Sequence, residues 1–333
     1  MPSGPQWVKN PGMETARRYP LIFNPNARSQ KGGRVLRFLK DQADRFAVFA
    51  TTHAGEARTL AAGFAAQGEP VIIAAGGDGT LNEVVAGLAG STTVLGILPA
   101  GTMNVFAREL GIPFGSLEHA FAVIEQGFVR EVDLFAANGA PFVQMAGVGF
   151  DAAVIEETSW QAKKLLGPLA YLLAAVKVLG AEPPAMEVVC ADGRRAAGVA
   201  VIVGNGALYG GPFRFFRNAD TRDSKLEVLV YKQAGYRLVL DSLRGLAGGG
   251  IDLLDSICYF QTGDLTVRSD REVPVEVDGE LSGRFAEVRF AETAHCLRVL
   301  APESPLAGRF AGNWRSFLPW SRKQPALQTT RTP

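Results

Sequence analysis

The sequence predicts two domains: an N-terminal α/β domain with a doubly wound parallel sheet, then an all-β domain built as an antiparallel sandwich or barrel. Three observations carry that expectation. Up to Leu110, short apolar runs alternate with helical stretches, the rhythm of a parallel sheet flanked by helices. After about Asp133 the texture changes to short apolar or alternating runs separated by turn residues. The chain has 333 residues, which suits two domains, and its 47% apolar content can fill both cores.

In order, 19–23 reads as a first strand, followed by a polar turn over 24–33. A helix over 34–41 turns Val35, Leu36 and Leu39 inward. A strand over 45–51 and a helix over 54–67 come next. Val71, Ile72, Ile73 and Ala74 form an apolar run the length of a buried strand. Gly76, Gly77 and Gly79 then allow positive φ and close approach of a ligand. Thr80 is expected to open a helix, with Glu83 at capping-box spacing and Leu81, Val84, Val85 and Leu88 on one face. A fourth strand over 94–98, the turn Pro99-Ala100-Gly101-Thr102 and a helix over 103–110 complete the unit. Ligands of such sheets bind beyond the carboxyl ends of the strands. Three turns meet that requirement together: 24–33, 76–80 and 99–104.

The second half offers strands at 142–148, 186–190, 198–203, 226–231, 256–260, 265–268, 273–277, 286–290 and 296–300. Helices are expected at 162–179 and 236–247. The partition is a flexible leader over 1–18, a nucleotide-binding domain over 19–135, a β-rich domain over 136–300 and a tail over 301–333. The tail interleaves Phe310, Trp314, Phe317, Leu318 and Trp320 with arginines and a lysine. That pattern suits either a membrane interface or a return to the first domain.

Composition excludes several functions. A net charge of +1 does not suit a general nucleic-acid binder. Cys190, Cys258 and Cys296 lack metal spacing and read as reduced thiols. His53, His119 and His295 are scattered, which argues against a histidine triad or a zinc site. The N-terminus lacks the apolar core of a signal peptide, and Met13 is an alternative start. No stretch reaches the ~18 apolar residues of a membrane span. A cytoplasmic protein is expected.

The stretch PVIIAAGGDGTLNEVVAGLAG, 70–90, carries the chemistry. A strand, a glycine turn and a helix aim free N–H groups and the positive helix end at one point, where an anion sits. Asp78 inside that turn would repel a phosphate unless a metal ion lay between them. That points to a metal–nucleotide complex.

GGDGTLNEVVAGL, with LGILPAGTMNVFAREL about 20 residues later, resembles the diacylglycerol kinase catalytic domain. It is particularly similar to bacterial lipid kinases related to diacylglycerol and sphingosine kinases. The resemblance runs from Tyr19 to about Pro302. The wider superfamily includes NAD kinases and phosphofructokinases, so an NAD-kinase/phosphofructokinase-like first domain is implied. The resemblance also implies ATP-dependent, Mg²⁺-dependent phosphorylation of a lipid hydroxyl in a cleft between two domains. Diacylglycerol is the default acceptor, with a sphingoid base or another lipid alcohol open. Phospholipid biosynthesis at the inner membrane face, with peripheral membrane contact, follows from it. A homodimer is left open.

Site residues are implied position by position. Asn24, Pro25, Asn26 and Thr51 would contact nucleotide, as would Gly76, Gly77, Asp78, Gly79, Thr80, Leu81, Asn82 and Thr102. Asp220, Asp223 and the Lys225 carbonyl match a structural magnesium loop. Ser224 stands there where the family has glycine, and serine does not reach positive φ cheaply. Val277-Asp278-Gly279-Glu280 matches the motif that carries the catalytic base, with Asp278 the first choice and Glu280 the second. Asp78 would hold Mg²⁺ directly or through water. Asp133 would join this acidic cluster. Asp-Gly is also a common hairpin turn, so Asp278-Gly279 has a purely structural reading. The rivals are a soluble-metabolite kinase and a catalytically silent nucleotide- or lipid-binding protein.

Overall fold

The computed structural model describes residues 8–9, 18–25, 32–157, 182–238, 240, 242, 251 and 254–303. The first domain runs β1 (Val8–Lys9), β2 (Tyr19–Phe23), α1 (Gly32–Asp41), β3 (Phe46–Ala50), α2 (Glu56–Ala66), β4 (Val71–Gly76), α3 (Asp78–Leu88), β5 (Val94–Pro99), α4 (Val105–Glu109), α5 (Leu117–Gln126) and β6 (Phe128–Val132). The chain then runs β7 (Phe135–Ala137), β8 (Ala140–Phe142), β9 (Met145–Val148), α6 (Phe150–Glu157), β10 (Met186–Cys190), β11 (Arg195–Gly198), β12 (Ala200–Gly204), β13 (Leu208–Tyr209), β14 (Phe213–Arg214), β15 (Leu226–Tyr231), β16 (Ile257–Thr262), β17 (Leu265–Val277), β18 (Glu280–Glu292) and β19 (Leu297–Leu300).

The first sheet has the order β1-β6-β19-β5-β4-β2-β3. Strands β3, β2, β4, β5 and β19 are mutually parallel, β6 runs antiparallel to β19, and β1 at the edge runs antiparallel to β6. The central strands β4 and β5 are buried on both faces, which is why they read as unbroken apolar runs. Leu81, Val84, Val85 and Leu88 of α3 enter this core as expected.

Two expectations change here. Residues 296–300 were expected in the β domain, but β19 lies between β5 and β6 of the first sheet. An isolated apolar strand carries no signal for which sheet it joins. Within the expected leader, Val8 and Lys9 pair with Val129 and Phe128. The expectation also ran past α5, although Ser116 caps it by accepting the His119 N–H at 3.2 Å and Gly127 ends it at φ 72°.

The second domain is one antiparallel sheet in the order β16-β15-β12-β9-β17-β18-β7-β8, with β10 and β11 attached beside β17. Phe135 and Phe142, at one end of the order, share a core with Leu226 and Val228 near the other. The sheet therefore curls round that core. Alternation divides β15: Val228 and Val230 face this core, whereas Leu229 and Tyr231 face a second cluster with Phe215 and Phe216. The expected strands at 265–268 and 273–277 are one strand, β17, with an irregular register between Arg268 and Val273. Among the described residues, no helix is long and apolar enough to cross a membrane. The expected helix over 162–179 and the aromatic–basic tail lie outside the described residues.

Candidate active site

The site lies beyond the carboxyl ends of β2, β3, β4 and β5, where the β17–β18 hairpin reaches across from the second domain. Helix α3 starts at Asp78 with Gly77 as its N-cap, two residues earlier than expected. The Leu81 N–H donates to the Gly77 carbonyl at 3.1 Å. The amides of Asp78, Gly79 and Thr80 therefore precede the first intrahelical bond and point to the site. The Leu81 N–H is thus bonded, and the Leu81 side chain is in the core behind the glycine turn. The Thr80–Glu83 capping box does not form. Thr80 is buried against Gly76, and Glu83 instead accepts the Ala57 N–H at 3.1 Å, capping α2.

The two glycine motifs meet backbone to backbone. A Cβ on Gly101 would lie 2.5 Å from the Gly77 Cα, so position 101 admits no side chain, and a Cβ on Gly77 would be tight at 3.2 Å from the Gly101 Cα. Asn104, at φ 48°, closes the second turn: its Oδ1 accepts the Gly101 N–H at 2.9 Å and its Nδ2 donates to the Gly101 carbonyl at 3.0 Å. The Asp78 carboxylate joins the motifs by accepting the N–H groups of Asn104 at 2.9 Å and Val105 at 2.6 Å. Burial raises its pKa, opposed by these amides and by the nearby Arg108. Two of its acceptor positions are thus taken by protein. A metal ion would have to meet the remaining lone pairs or be reached through water.

Asp278 and Gly279 form the two-residue turn between β17 and β18, with φ of 47° and 86°. The Asp278 Oδ1 accepts the N–H groups of Gln144 and Met145 and its Oδ2 that of Val143, each at 2.9 Å. Its own N–H donates to the Met145 carbonyl at 2.8 Å. Burial pushes its pKa up to about 6, against the pull of the three amides, with Asp78 adding to the rise. This tells against the first choice of base: three amides occupy the carboxylate of the half-buried Asp278, and it anchors the hairpin. Asn82, expected at the nucleotide, also serves the hairpin, donating through Nδ2 to the Asp278 carbonyl at 2.8 Å. Glu280, the second choice, is exposed. A Cβ on Gly79 would lie 2.7 Å from the Glu280 Oε1, so this carboxylate rests directly on the glycine turn.

Asn24, half-buried, and Pro25, exposed, follow β2. Thr51 is buried after β3, its N–H on the Phe23 carbonyl at 2.8 Å, and Thr102 is exposed after β5. All four border the same strand ends. Asn26 lies outside the described residues.

Asp133 hydrogen-bonds to the loop that carries Asp220 and Asp223. It sits against the 220–225 loop, its Oδ2 accepting the Ser224 N–H at 2.7 Å and its N–H bonding the Thr221 carbonyl at 2.7 Å. Burial, then the charges of Glu292, Asp223 and Asp220, push its pKa up to about 6. In the loop, Asp220 pairs with Arg222 at 3.2 Å, and Asp223 accepts the Lys225 N–H at 3.1 Å. Ser224 does adopt positive φ, 54°. Among the described residues, no three Asp, Glu, His or Cys side chains are grouped to hold a metal ion.

Residues 18–137 match the diacylglycerol kinase catalytic domain, and residues 144–301 match the YegS C-terminal NAD kinase beta sandwich-like domain. A probable lipid kinase YegS-like of Pseudomonas aeruginosa is 34% identical over 279 residues, 80% of this chain and 88% of that protein. The chain belongs to the diacylglycerol kinase family of lipid kinases. A further relative in that family, a diacylglycerol kinase of Bacillus subtilis, is 29% identical over 276 residues, 80% of this chain and 91% of its own. The crystal structure of a putative diacylglycerol kinase from Bacillus anthracis superposes with a TM-score of 0.71 at 26% identity, covering 86% of this chain and 97% of the other.

This lipid-kinase-family chain also uses residues the sequence reading missed. Glu109, Gln144 and Asn205 link the domains. Just after β12, the Asn205 Nδ2 donates to the carbonyls of Asp133 at 2.8 Å and Val143 at 2.9 Å. No spacing rule reveals such partners, which lie 62 and 72 residues away.

Proposed function

We propose that this kinase transfers the γ-phosphoryl group of ATP to a lipid hydroxyl, with diacylglycerol as the acceptor, and that Glu280 takes the hydroxyl proton. The observation that supports this most is the Glu280 Oε1 resting against Gly79. It gives the phosphate turn of one domain and an exposed acid of the other a shared groove. The phosphates bind the amides of Asp78, Gly79 and Thr80. The acceptor hydroxyl lies between them and the hairpin. Its proton passes to Glu280, its oxygen bonds to the γ-phosphorus, and the bond to the β–γ bridging oxygen breaks to release ADP. Glu280 suits this step because its carboxylate is accessible and Asp278 locks the turn behind it.

Asn24, Pro25, Thr51 and Thr102 border the nucleotide, and Asn26 belongs to the same reading. The donor chemistry fits Mg²⁺, a hard cation that takes oxygen ligands and keeps water. Bound with the nucleotide, it would neutralise phosphate charge, and the remaining lone pairs of Asp78 would meet it through water. A second Mg²⁺ would draw on Asp220, Asp223 and the Lys225 carbonyl, with Asp133 bracing the loop. Because the acceptor lives in a bilayer, the kinase works peripherally at the inner membrane face.

The test is incubation with labelled ATP, Mg²⁺ and a total lipid extract, followed by identification of the product. Labelled phosphatidic acid is expected, and Glu280→Gln removes it. Label in a water-soluble metabolite, or in nothing, overturns the proposal.

A further inference from the structure

We propose that Glu109 is a positioning residue: it ties the nucleotide-side helix to the chain segment that grips the acceptor-side hairpin, and so sets Glu280 over the glycine turn. This inference rests on the proposed role of Glu280.

Glu109 is the last residue of α4, whose first turn Asp78 caps. Its Oε2 accepts two hydrogen bonds from the second half of the molecule: the Gln144 Nε2 at 2.8 Å and the Leu208 N–H at 2.9 Å. Gln144 is buried and is the junction of the arrangement. Its backbone N–H is one of the three that hold the Asp278 carboxylate, at 2.9 Å. Its carbonyl accepts the Asn205 N–H at 2.9 Å, and its Nε2 also donates to the Leu208 carbonyl at 2.9 Å. The connection therefore runs from the glycine turn through Asp78, α4 and Glu109 to Gln144, then through Asp278 to Glu280. Asn82 gives the same hairpin a direct tie, on the Asp278 carbonyl. Two ties from two helices of one domain fix both the approach and the tilt of a hairpin carried by the other. A carboxylate suits the Glu109 position because both partners are donors and it brings no hydrogen of its own. Arg130, buried in β6, lies within electrostatic reach of Glu109 and of Asp220.

Phosphoryl transfer depends on placement, and a displacement of about 1 Å costs as much as 10²-fold in rate. The effect of losing Glu109 should therefore fall on turnover rather than on nucleotide binding. The experiment compares wild type, Glu109→Ala, Glu109→Gln and Glu280→Gln. It uses labelled ATP, Mg²⁺ and mixed phosphatidylglycerol–diacylglycerol vesicles, with hydrogen exchange of the Gln144, Met145 and Leu208 amides as a second readout. Glu109→Ala is expected to lower kcat about 10- to 100-fold with nucleotide Kd within about twofold, and to speed exchange at those amides. Glu109→Gln keeps one oxygen acceptor for the same donors and should restore both kcat and protection. Unchanged kcat and unchanged exchange in Glu109→Ala overturn the inference, as does an equal loss in kcat and nucleotide affinity. If Glu109→Gln is as impaired as Glu109→Ala, charge matters instead of positioning and the inference also fails. If Glu280→Gln stays active while Glu109→Ala still loosens the amides, the assignment of the base fails and the tether stands. If the vesicles prove not to contain the acceptor, the exchange comparison alone decides.

Discussion

The two acids of the hairpin should separate cleanly under mutation. The Asp278 carboxylate, in a half-buried turn residue, accepts three backbone N–H groups, each at 2.9 Å, from the buried residues Val143, Gln144 and Met145. Asp278→Ala leaves those donors unpaired. Each unpaired buried donor costs about 1–3 kcal/mol, so the variant should lose about 3–9 kcal/mol. That is a large share of a total stability of about 5–15 kcal/mol. Glu280 is exposed, and Glu280→Gln should change stability by no more than about 0.5 kcal/mol. Its turnover should nevertheless fall by about 10²–10⁴-fold, the usual contribution of a general base. Urea unfolding and the vesicle kinase assay, run side by side, measure both effects. The reasoning is refuted if Asp278→Ala unfolds at the wild-type midpoint yet is inactive. The carboxylate would then be doing chemistry, and its three amides would be incidental.

Three more outcomes follow from the same structure. Ser224→Gly relieves a positive φ of 54°, which costs a non-glycine residue about 1–2 kcal/mol; after the loop entropy of glycine, unfolding experiments should show a net gain of about 0.5–1 kcal/mol. Gly101→Ala drives a Cβ to within 2.5 Å of the Gly77 Cα, so titration calorimetry should show weakened ATP binding, whereas Gly33→Ala, where a Cβ meets nothing within 4 Å, leaves it unchanged. Asp278 has a folded pKa of about 6, above its ordinary 3.8, so the folded state binds more protons between those values and this group's contribution falls as pH rises through that window, by at most about 3 kcal/mol. The stability gap between wild type and Asp278→Asn should accordingly narrow from pH about 4 to about 6 and then level off; a gap that widens would mean that the amides depress the pKa.

What the sequence made legible was local or periodic. The glycine turn, its strand and the apolar face of α3 are contiguous, and each has its own period or residue type. Alternation similarly revealed most β-domain strands. What stayed hidden depends on pairing over distance. Glu83 sits at capping-box spacing with Thr80, yet it caps α2, because packing brings Ala57 closer than the local partner. Asp133 ends the stretch Arg130-Glu131-Val132-Asp133 near the domain junction, and nothing in it discloses that its partners are Ser224 and Thr221. The Leu297–Leu300 strand has the composition of either domain, and only its pairing with β5 and β6 decides. Ser224 is the reverse case: the family resemblance implied a glycine geometry that serine meets only at a cost, and the backbone adopts it regardless, at φ 54°.

Both signature aspartates bind amides, and that explains why they are aspartates. Asp78 holds two N–H groups and Asp278 three. An ionised carboxylate is acceptor-only, with about four lone-pair positions. Asparagine in either place would turn an NH₂ group towards a backbone donor. Charge-assisted bonds to N–H are also roughly twice as strong as neutral ones. Each aspartate therefore stiffens a turn whose neighbouring groups do the work: the amides of 78–80 beside one, Glu280 beside the other. Rigidity matters because the donors for a phosphoryl group must be in place before charge develops. An Asp→Asn change at 78 or 278 should then loosen the groove itself, and loss of activity in those variants is no evidence that either carboxylate touches the transferred phosphate.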